Sequence, residues 1–195
     1  MGNVFHLSDL DLTKKYTYSD YLLWQFKERV ELVKGFILSM SPAPNTNHQK
    51  VSVNLTGCFL ELFKRNKCKI FVAPFDVRLE IPTEQNQSTV VQPDLCVICD
   101  ENKLDEKGCN GSPDLIVEII STNNRKHDLH TKFDLYQEAG VKEYWIVDPV
   151  EKMILVYTLE NEKFIGSKPF VTDEFVSSKL FPIIQFSVDD IFYGI

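Results

Sequence analysis

The segment Leu115-Ile116-Val117-Glu118-Ile119-Ile120 decides how the rest of the chain is interpreted. Its aliphatic and β-branched residues, without regular polar alternation, predict a short strand that is buried on both faces of a sheet. Glu118 is the exception, because an unpaired carboxylate in such a strand costs several kcal/mol. We therefore expect Glu118 to be protonated, paired with a cationic side chain, or bound to a metal cation.

A second acid, Asp94, lies near the start of a similar segment, Pro93-Asp94-Leu95-Cys96-Val97-Ile98. Because neighbouring strands lie about 4.8 Å apart, Asp94 and Glu118 can converge on one divalent cation. Asp114 is an alternative partner, but four residues along one strand place it about 13 Å from Glu118. Asp94 is the better candidate, and Asp114 is more consistent with capping the entry to its strand. Such hard oxygen ligands favour Mg²⁺ or Mn²⁺ over zinc.

A lysine downstream is the candidate cation for this site. Asp128, Lys132 and Tyr136 are spaced by four residues and would share one face of a helix, from which Lys132 can point back over the Glu118 strand. A solvated pair between Asp128 and Lys132 explains the spacing equally well. Tyr136 is interpreted mainly as a core residue, and His48 as a capping or interface histidine.

The order of predicted elements is typical of an α/β protein whose mixed β-sheet is flanked by helices. Helices are predicted over 18–28, 45–66 and 126–139, with polar loops over 82–88 and 100–112. Strands are predicted over 30–33, 36–40, 69–73, 75–81, 93–98, 115–120, 143–149, 152–159 and 163–167. The first helix and hairpin form an N-terminal extension, the last two strands form a C-terminal β-hairpin extension, and 114–148 forms a right-handed βαβ crossover.

Composition limits the class of protein. With 195 residues, of which 44% are hydrophobic, a single domain over 1–195 is expected. The net charge of −7 argues against a surface that is wholly adapted to nucleic acid, so such contacts need a local basic patch or a metal. Arg125 and Lys126 form such a patch on the loop that leaves the Glu118 strand.

Cellular location and cofactors are constrained by what the chain does not contain. Its five cysteines are odd in number and lack a regular framework, which predicts free thiols in a reducing compartment. Cys96 and Cys99 would point to opposite faces of a strand, so a zinc site there is disfavoured. No secretory signal or long apolar run is recognisable, so we expect a cytoplasmic protein without membrane contact or an organic cofactor.

Together these segments resemble the PD-(D/E)xK nuclease superfamily, and within it a large bacterial group of small restriction-endonuclease-like proteins. The resemblance covers roughly 18 to 160, and its most specific block is Ala139-Gly140-Val141-Lys142-Glu143-Tyr144-Trp145-Ile146-Val147-Asp148-Pro149. The other matching parts are Val30–Gly35, Met40-Ser41-Pro42 with His48, Pro93-Asp94, Ser112–Ser121, Asp128, Lys132 and Tyr136. The resemblance implies a restriction-endonuclease-like fold.

The same resemblance implies the roles of the candidate residues. Asp94 and Glu118 would bind Mg²⁺ or Mn²⁺, Glu31 would be an additional acid, and Lys132 would be the catalytic lysine. Where the superfamily motif has its lysine, this chain has Ile120, so the lysine would come from the next helix. The implied activity is hydrolysis of phosphodiester bonds in DNA by a homodimer, with Arg125 or Lys126 holding the DNA backbone.

Two alternatives to a DNA endonuclease remain open. The chain could be a catalytically inactive nuclease-fold module that binds nucleic acid or regulates a partner, which the missing motif lysine and the acidic charge favour. It could also be a nuclease that cleaves RNA or branched DNA.

Overall fold

The helices of this protein are few and mostly short. The structure, a computed structural model, describes residues 2–40, 44–82, 88–121 and 128–195. Within them the helices are α1 (Tyr18–Tyr21), α2 (Thr46–Phe63), α3 (Phe133–Glu138) and α4 (Val188–Ile191). Short 3₁₀ turns cover Leu7–Asp9 and Glu101–Lys103, and a π-helical turn over Asp128–Lys132 leads directly into α3. None of the described helices is long and apolar enough to cross a membrane.

The first helix is shorter than the sequence predicts. A capping box between Thr17 and Asp20 starts α1, which ends after about one turn. The helix predicted over 18–28 is therefore wrong beyond Tyr21. The following segment instead forms a bridge between Trp24 and Val4, and its aromatic rings pack on one another. The aromatic residues that predicted a longer helix instead pack on one another in a segment that is not helical.

The strands form two six-stranded sheets and one short hairpin within the described residues. The first sheet has the order β2-β1-β5-β4-β8-β7, and the second has the order β12-β11-β10-β9-β6-β3. The hairpin pairs β13 with β14. The strand bounds are Val30–Val33 (β1), Phe36–Ser39 (β2), Lys69–Val72 (β3), Val77–Leu79 (β4), Thr89–Val91 (β5), Leu95–Ile98 (β6), Leu104–Asp105 (β7), Gly108–Asn110 (β8), Leu115–Ile119 (β9), Glu143–Asp148 (β10), Met153–Glu160 (β11), Lys163–Gly166 (β12), Phe175–Ser177 (β13) and Gln185–Ser187 (β14).

The mixed α/β architecture predicted from the sequence is confirmed. β1 and β2 form the predicted hairpin, and β9 and β10 are parallel neighbours joined through α3. The sequence does not predict β5, β7 or β8, and the last two lie inside the stretch 100–112 that was expected to be a loop. These strands have only two or three residues, which is too short for an alternating pattern to be recognised.

The second sheet carries a hydrophobic core on each face. Alternate residues of β6, β9 and β10 pack against α2 and the C-terminal elements on one face, including Leu95, Val117 and Trp145. The other alternate residues pack against α3 and the first sheet, including Cys96, Ile116 and Tyr144. Both faces of β9 are therefore buried, as its sequence predicts.

The cysteines depart in part from the prediction of free thiols. Cys68 and Cys99 form a disulfide, so the prediction is wrong for this pair. The antiparallel pairing of β3 with β6 explains the contact. Lys69 lies opposite Ile98, so the next pair in the same register is Cys68, just before β3, and Cys99, just after β6. Cys58, Cys96 and Cys109 are free thiols, as predicted.

Candidate active site

The two candidate acids on adjacent strands lie opposite each other. In the antiparallel pair of β6 and β9, Leu95 faces Val117 and Cys96 faces Ile116. Extending that register by one residue places Asp94 opposite Glu118 at the end of β6. Glu118 is buried, and its neighbours on the same side of β9, Ile116 and Ile120, belong to the core that includes α3. The register thus brings the two acids together as the sequence predicts.

Lys132 lies between Glu118 and a third acid, Glu31. Its Nζ atom donates hydrogen bonds to Oε1 of Glu118 at 2.9 Å and to Oε1 of Glu31 at 3.1 Å. All three residues are nearly inaccessible, at 5% exposure for Lys132, 6% for Glu118 and 2% for Glu31. The predicted approach of Lys132 to the Glu118 strand is therefore present in the structure. Lys132 is the last residue of the π-helical turn and directly precedes α3, and from there its side chain reaches Glu118 of β9.

Tyr136 is also part of the cluster. One turn after Lys132, its hydroxyl group donates a hydrogen bond to Oε1 of Glu118 at 2.6 Å. Its ring packs edge to face on Tyr144, which agrees with the core role predicted for it. The sequence interpretation missed the hydrogen bond, although the spacing of four residues from Lys132 was the signal that could have revealed it.

Burial and excess negative charge control the protonation of this cluster. Burial raises the pKa of Glu118 to about 8, the charge of Lys132 opposes this rise, and the charges of Asp94 and Glu31 add to it. The hydrogen bond from Tyr136 also lowers the pKa of Glu118. Burial and the nearby Glu118 charge raise the pKa of Tyr136, so its hydroxyl remains a donor. A cation placed among these acids would stabilise the ionised form of Glu118.

Asp94 is contacted by a backbone N–H and a histidine, whereas Glu118 is contacted by Lys132 and Tyr136. Its Oδ2 atom accepts a hydrogen bond from the backbone N–H of Ile119 at 2.8 Å and lies 3.2 Å from Nε2 of His48. Burial lowers the pKa of His48, but the hydrogen bond and charge of Asp94 outweigh it and leave the pKa raised. The sequence analysis did not connect His48 with Asp94, because the residues are distant in the chain and no spacing rule relates them.

Glu31 enters the cluster from the first sheet. Its Oε1 atom accepts a hydrogen bond from the backbone N–H of Gln92 at 2.9 Å, in addition to that from Lys132. The side-chain amide of Gln92 in turn donates to Oδ1 of Asp76 at 2.7 Å and accepts from Arg29 at 2.8 Å. The sequence gives no signal for this network beyond the position of Gln92 two residues before Asp94.

The donor atoms at this site fit a hard divalent cation. Lys132 contacts the carboxylates of Glu31 and Glu118, and Asp94 lies opposite Glu118 on the adjacent strand, so the acids outnumber the lysine. In the described part of the chain, no hydrogen bond reaches Oδ1 of Asp94 or Oε2 of Glu118. Carboxylate oxygens of this kind are the ligands that Mg²⁺ takes in proteins, usually one or two with several waters. Among the described residues, no group of three or more His, Cys, Asp or Glu side chains could hold a metal ion, so the candidate ligand set is the pair Asp94 and Glu118.

Some candidate residues lie elsewhere. Asp114 accepts hydrogen bonds from the backbone N–H of Cys99 at 2.8 Å and from Lys142 at 2.6 Å, in agreement with the capping role preferred for it. Arg125 and Lys126, the predicted DNA contacts, lie outside the described residues, as does the side chain of Asp128.

The chain is similar to a solved structure and matches one protein family. The chain has a restriction-endonuclease-like fold, similar to the crystal structure from Anabaena variabilis ATCC 29413 of "a putative nuclease belonging to DUF820". The two share 21% identity with a TM-score of 0.65, over 91% of this chain and 97% of the other. The family model described as "Uma2: Putative restriction endonuclease" matches residues 18–189, and the chain belongs to this family. No curated protein matches the chain.

Proposed function

We propose that this chain is a metal-dependent endonuclease that hydrolyses phosphodiester bonds in DNA. The observation that carries the proposal is the buried cluster in which Lys132 bridges Glu31 and Glu118, with Asp94 opposite Glu118 on the adjacent strand. Burying so many ionisable groups is costly, and such clusters are typical of functional sites. The family membership and the description of the family as a restriction endonuclease support the same reaction.

Each residue of the cluster has a distinct proposed role. Asp94 and Glu118 hold Mg²⁺ or Mn²⁺, and Glu31 assists from the first sheet. When bound, such a cation would neutralise the negative charge that develops on the phosphate oxygens and would lower the pKa of a bound water. Lys132 contacts the attacked phosphate and stabilises its added negative charge. In the reaction, a bond from the water oxygen to phosphorus forms as the water gives up one proton, while the bond to the leaving sugar oxygen breaks and that oxygen gains one proton.

The wider assembly is part of the same proposal. Residues 1–195 act as a single domain, and two copies pair to cut both strands of a duplex. Arg125 or Lys126 holds the DNA backbone, because both follow the Glu118 strand in sequence. The protein acts in the cytoplasm.

A second candidate function is an inactive module that binds nucleic acid or regulates a partner. The observation that favours it is the double engagement of Lys132, whose Nζ atom is occupied by both Glu31 and Glu118. A catalytic lysine must leave part of this contact to reach a phosphate. Ile120, which stands in place of the motif lysine, also favours this candidate.

Incubation with plasmid DNA tests the two candidates directly. Purified protein is mixed with supercoiled plasmid in Mg²⁺, Mn²⁺ or EDTA, beside the variants Glu118→Gln, Asp94→Asn and Lys132→Met and the matched control Glu106→Gln, which changes an exposed acid. The endonuclease predicts metal-dependent nicking by the wild type and the control, and loss of at least about 100-fold in the three site variants. DNA binding without cleavage by any form would favour the inactive module. Cleavage retained by Glu118→Gln would contradict the proposed mechanism.

A further inference from the structure

His48 reaches the acid pair from the opposite side to Lys132 and Tyr136. It lies in the first turn of α2, where its backbone N–H donates to the Asn45 side chain at 2.9 Å. Its side chain is only 10% exposed, and its Nε2 atom lies 3.2 Å from Oδ2 of Asp94. The Nδ1 atom is buried and has no partner among the described residues. The strongest polar contact of this imidazole is therefore the one with Asp94.

The contact with His48 involves the same oxygen that β9 already holds. Oδ2 of Asp94 also accepts the hydrogen bond from the backbone N–H of Ile119, the residue that follows Glu118. The backbone N–H of Ile119 and the imidazole of His48 both contact this one oxygen, which restrains the rotation of the carboxyl group about its bond to Cβ. In the described part of the chain no hydrogen bond reaches Oδ1, the other oxygen of this carboxylate.

The helix that carries His48 is a rigid support. Along α2, Val51, Leu55 and Phe59 are at most 1% exposed and pack in the same core as Leu95 of β6 and Val117 of β9. The position of His48 relative to the ends of these two strands is therefore set by close packing rather than by a loop. Tyr136 plays the corresponding part for Glu118 from α3.

We propose that His48 is a positioning residue for Asp94, which it holds through an Nε2–H donor so that Oδ1 faces the metal. This inference rests on the proposed function, because it assumes that Asp94 is a metal ligand. It assigns His48 no contact with the metal or the substrate. Groups that orient a metal-binding carboxylate in this way typically contribute about 10–100-fold to metal affinity.

Mn²⁺ binding, measured by the loss of the free-ion EPR signal, tests the inference without relying on cleavage. The variants are His48→Ala, His48→Gln and Asp94→Asn, with His6→Gln as a matched control at an exposed histidine. We expect His48→Ala to weaken Mn²⁺ binding about 10–100-fold. His48→Gln, which keeps a side-chain N–H donor, should recover most of that loss. Equal affinity in His48→Ala and the wild type, with Asp94→Asn still defective, would overturn the role of His48 and leave the proposed function intact.

Two spectroscopic measurements on the wild type separate positioning from other roles. Electron spin-echo modulation of the bound Mn²⁺ should show no coordinated nitrogen from His48, and a nitrogen signal that His48→Ala removes would overturn the inference by making His48 a ligand. The ¹⁵N shifts of His48 should show a proton on Nε2, which Asp94→Asn should perturb, whereas an unperturbed spectrum would contradict the contact. Absence of Mn²⁺ binding by folded wild-type protein would overturn the proposed function and this inference together.

Discussion

Replacing Lys132 by methionine should destabilise the protein strongly, because the side chain neutralises two buried carboxyl groups. Its Nζ atom lies 2.9 Å from Glu118 and 3.1 Å from Glu31, and all three residues are at most 6% exposed. Methionine keeps much of the length of the apolar stem while removing the charge, so the packing of α3 is largely retained.

The expected loss follows from these distances. At an effective dielectric constant of about 20, charges about 3 Å apart attract by about 5–6 kcal/mol, so the two contacts are individually strong. The cost of burying the ammonium group offsets much of this attraction, and breaking a buried pair typically lowers the free energy of unfolding by about 3–5 kcal/mol. The loss should be larger at pH 8.5 than at pH 6, because at pH 6 Glu118 holds a proton and Glu31 is the main partner of the lysine.

Urea unfolding, followed by the fluorescence of the buried Trp145, measures this loss in EDTA at both pH values. Lys67→Met, at an exposed lysine, is the matched control and should change the free energy of unfolding by less than about 0.5 kcal/mol. Adding Glu118→Gln to Lys132→Met should recover part of the loss, since one uncompensated charge is removed. A loss below about 1 kcal/mol that is equal at pH 6 and pH 8.5 would refute the electrostatic account of the cluster.

Three further predictions concern two residues of the cluster and one glycine of β8 in the first sheet. In EDTA the free energy of unfolding of the wild type should fall as pH rises from about 4.5 to about 8. Burial raises the pKa of Glu118, so in that window the folded protein binds a proton that the unfolded chain does not. The melting temperature of Glu118→Gln should depend less on pH than that of the wild type. Tyr136→Phe should lower the free energy of unfolding by about 1–3 kcal/mol and weaken Mn²⁺ binding, since Oε1 of Glu118 loses a buried donor; unchanged urea and EPR titrations would contradict this. Gly108→Ala should lower the free energy of unfolding by about 2 kcal/mol or more, because Gly108 has a φ of +123° and a Cβ there would overlap the carbonyl oxygen of Asp76. A melting temperature equal to that of the wild type would contradict this prediction.

The acid pair and its lysine could be predicted because local rules determine them. An acid in an apolar strand needs a partner, strand spacing restricts which acid can be near, and helical spacing places Lys132 and Tyr136 on one face. The same rules predict the hairpin of β1 and β2 and the parallel pairing of β9 with β10. They depend on neighbours that are close in sequence or on adjacent strands.

The features that were missed depend on contacts between distant segments. His48 meets Asp94 because α2 packs across the end of two strands, and Gln92 meets Glu31 because β5 joins the first sheet. The disulfide of Cys68 with Cys99 depends on the register of β3 and β6, which a single sequence does not reveal. Short strands such as β7 add to the difficulty, because they are held by their partners rather than by their own pattern.

The position where the superfamily motif has its lysine is occupied here by an apolar side chain that belongs to the core. Ile120, directly after β9, is 5% exposed and belongs to the same buried cluster as Leu135 and Tyr136, so a lysine at that position would place a charge in an apolar core. Lys132 brings its ammonium group to Glu118 from the helical turn before α3, and position 120 contributes only packing to the core. Motif searches that require a lysine two residues after the glutamate would therefore overlook chains built in this way.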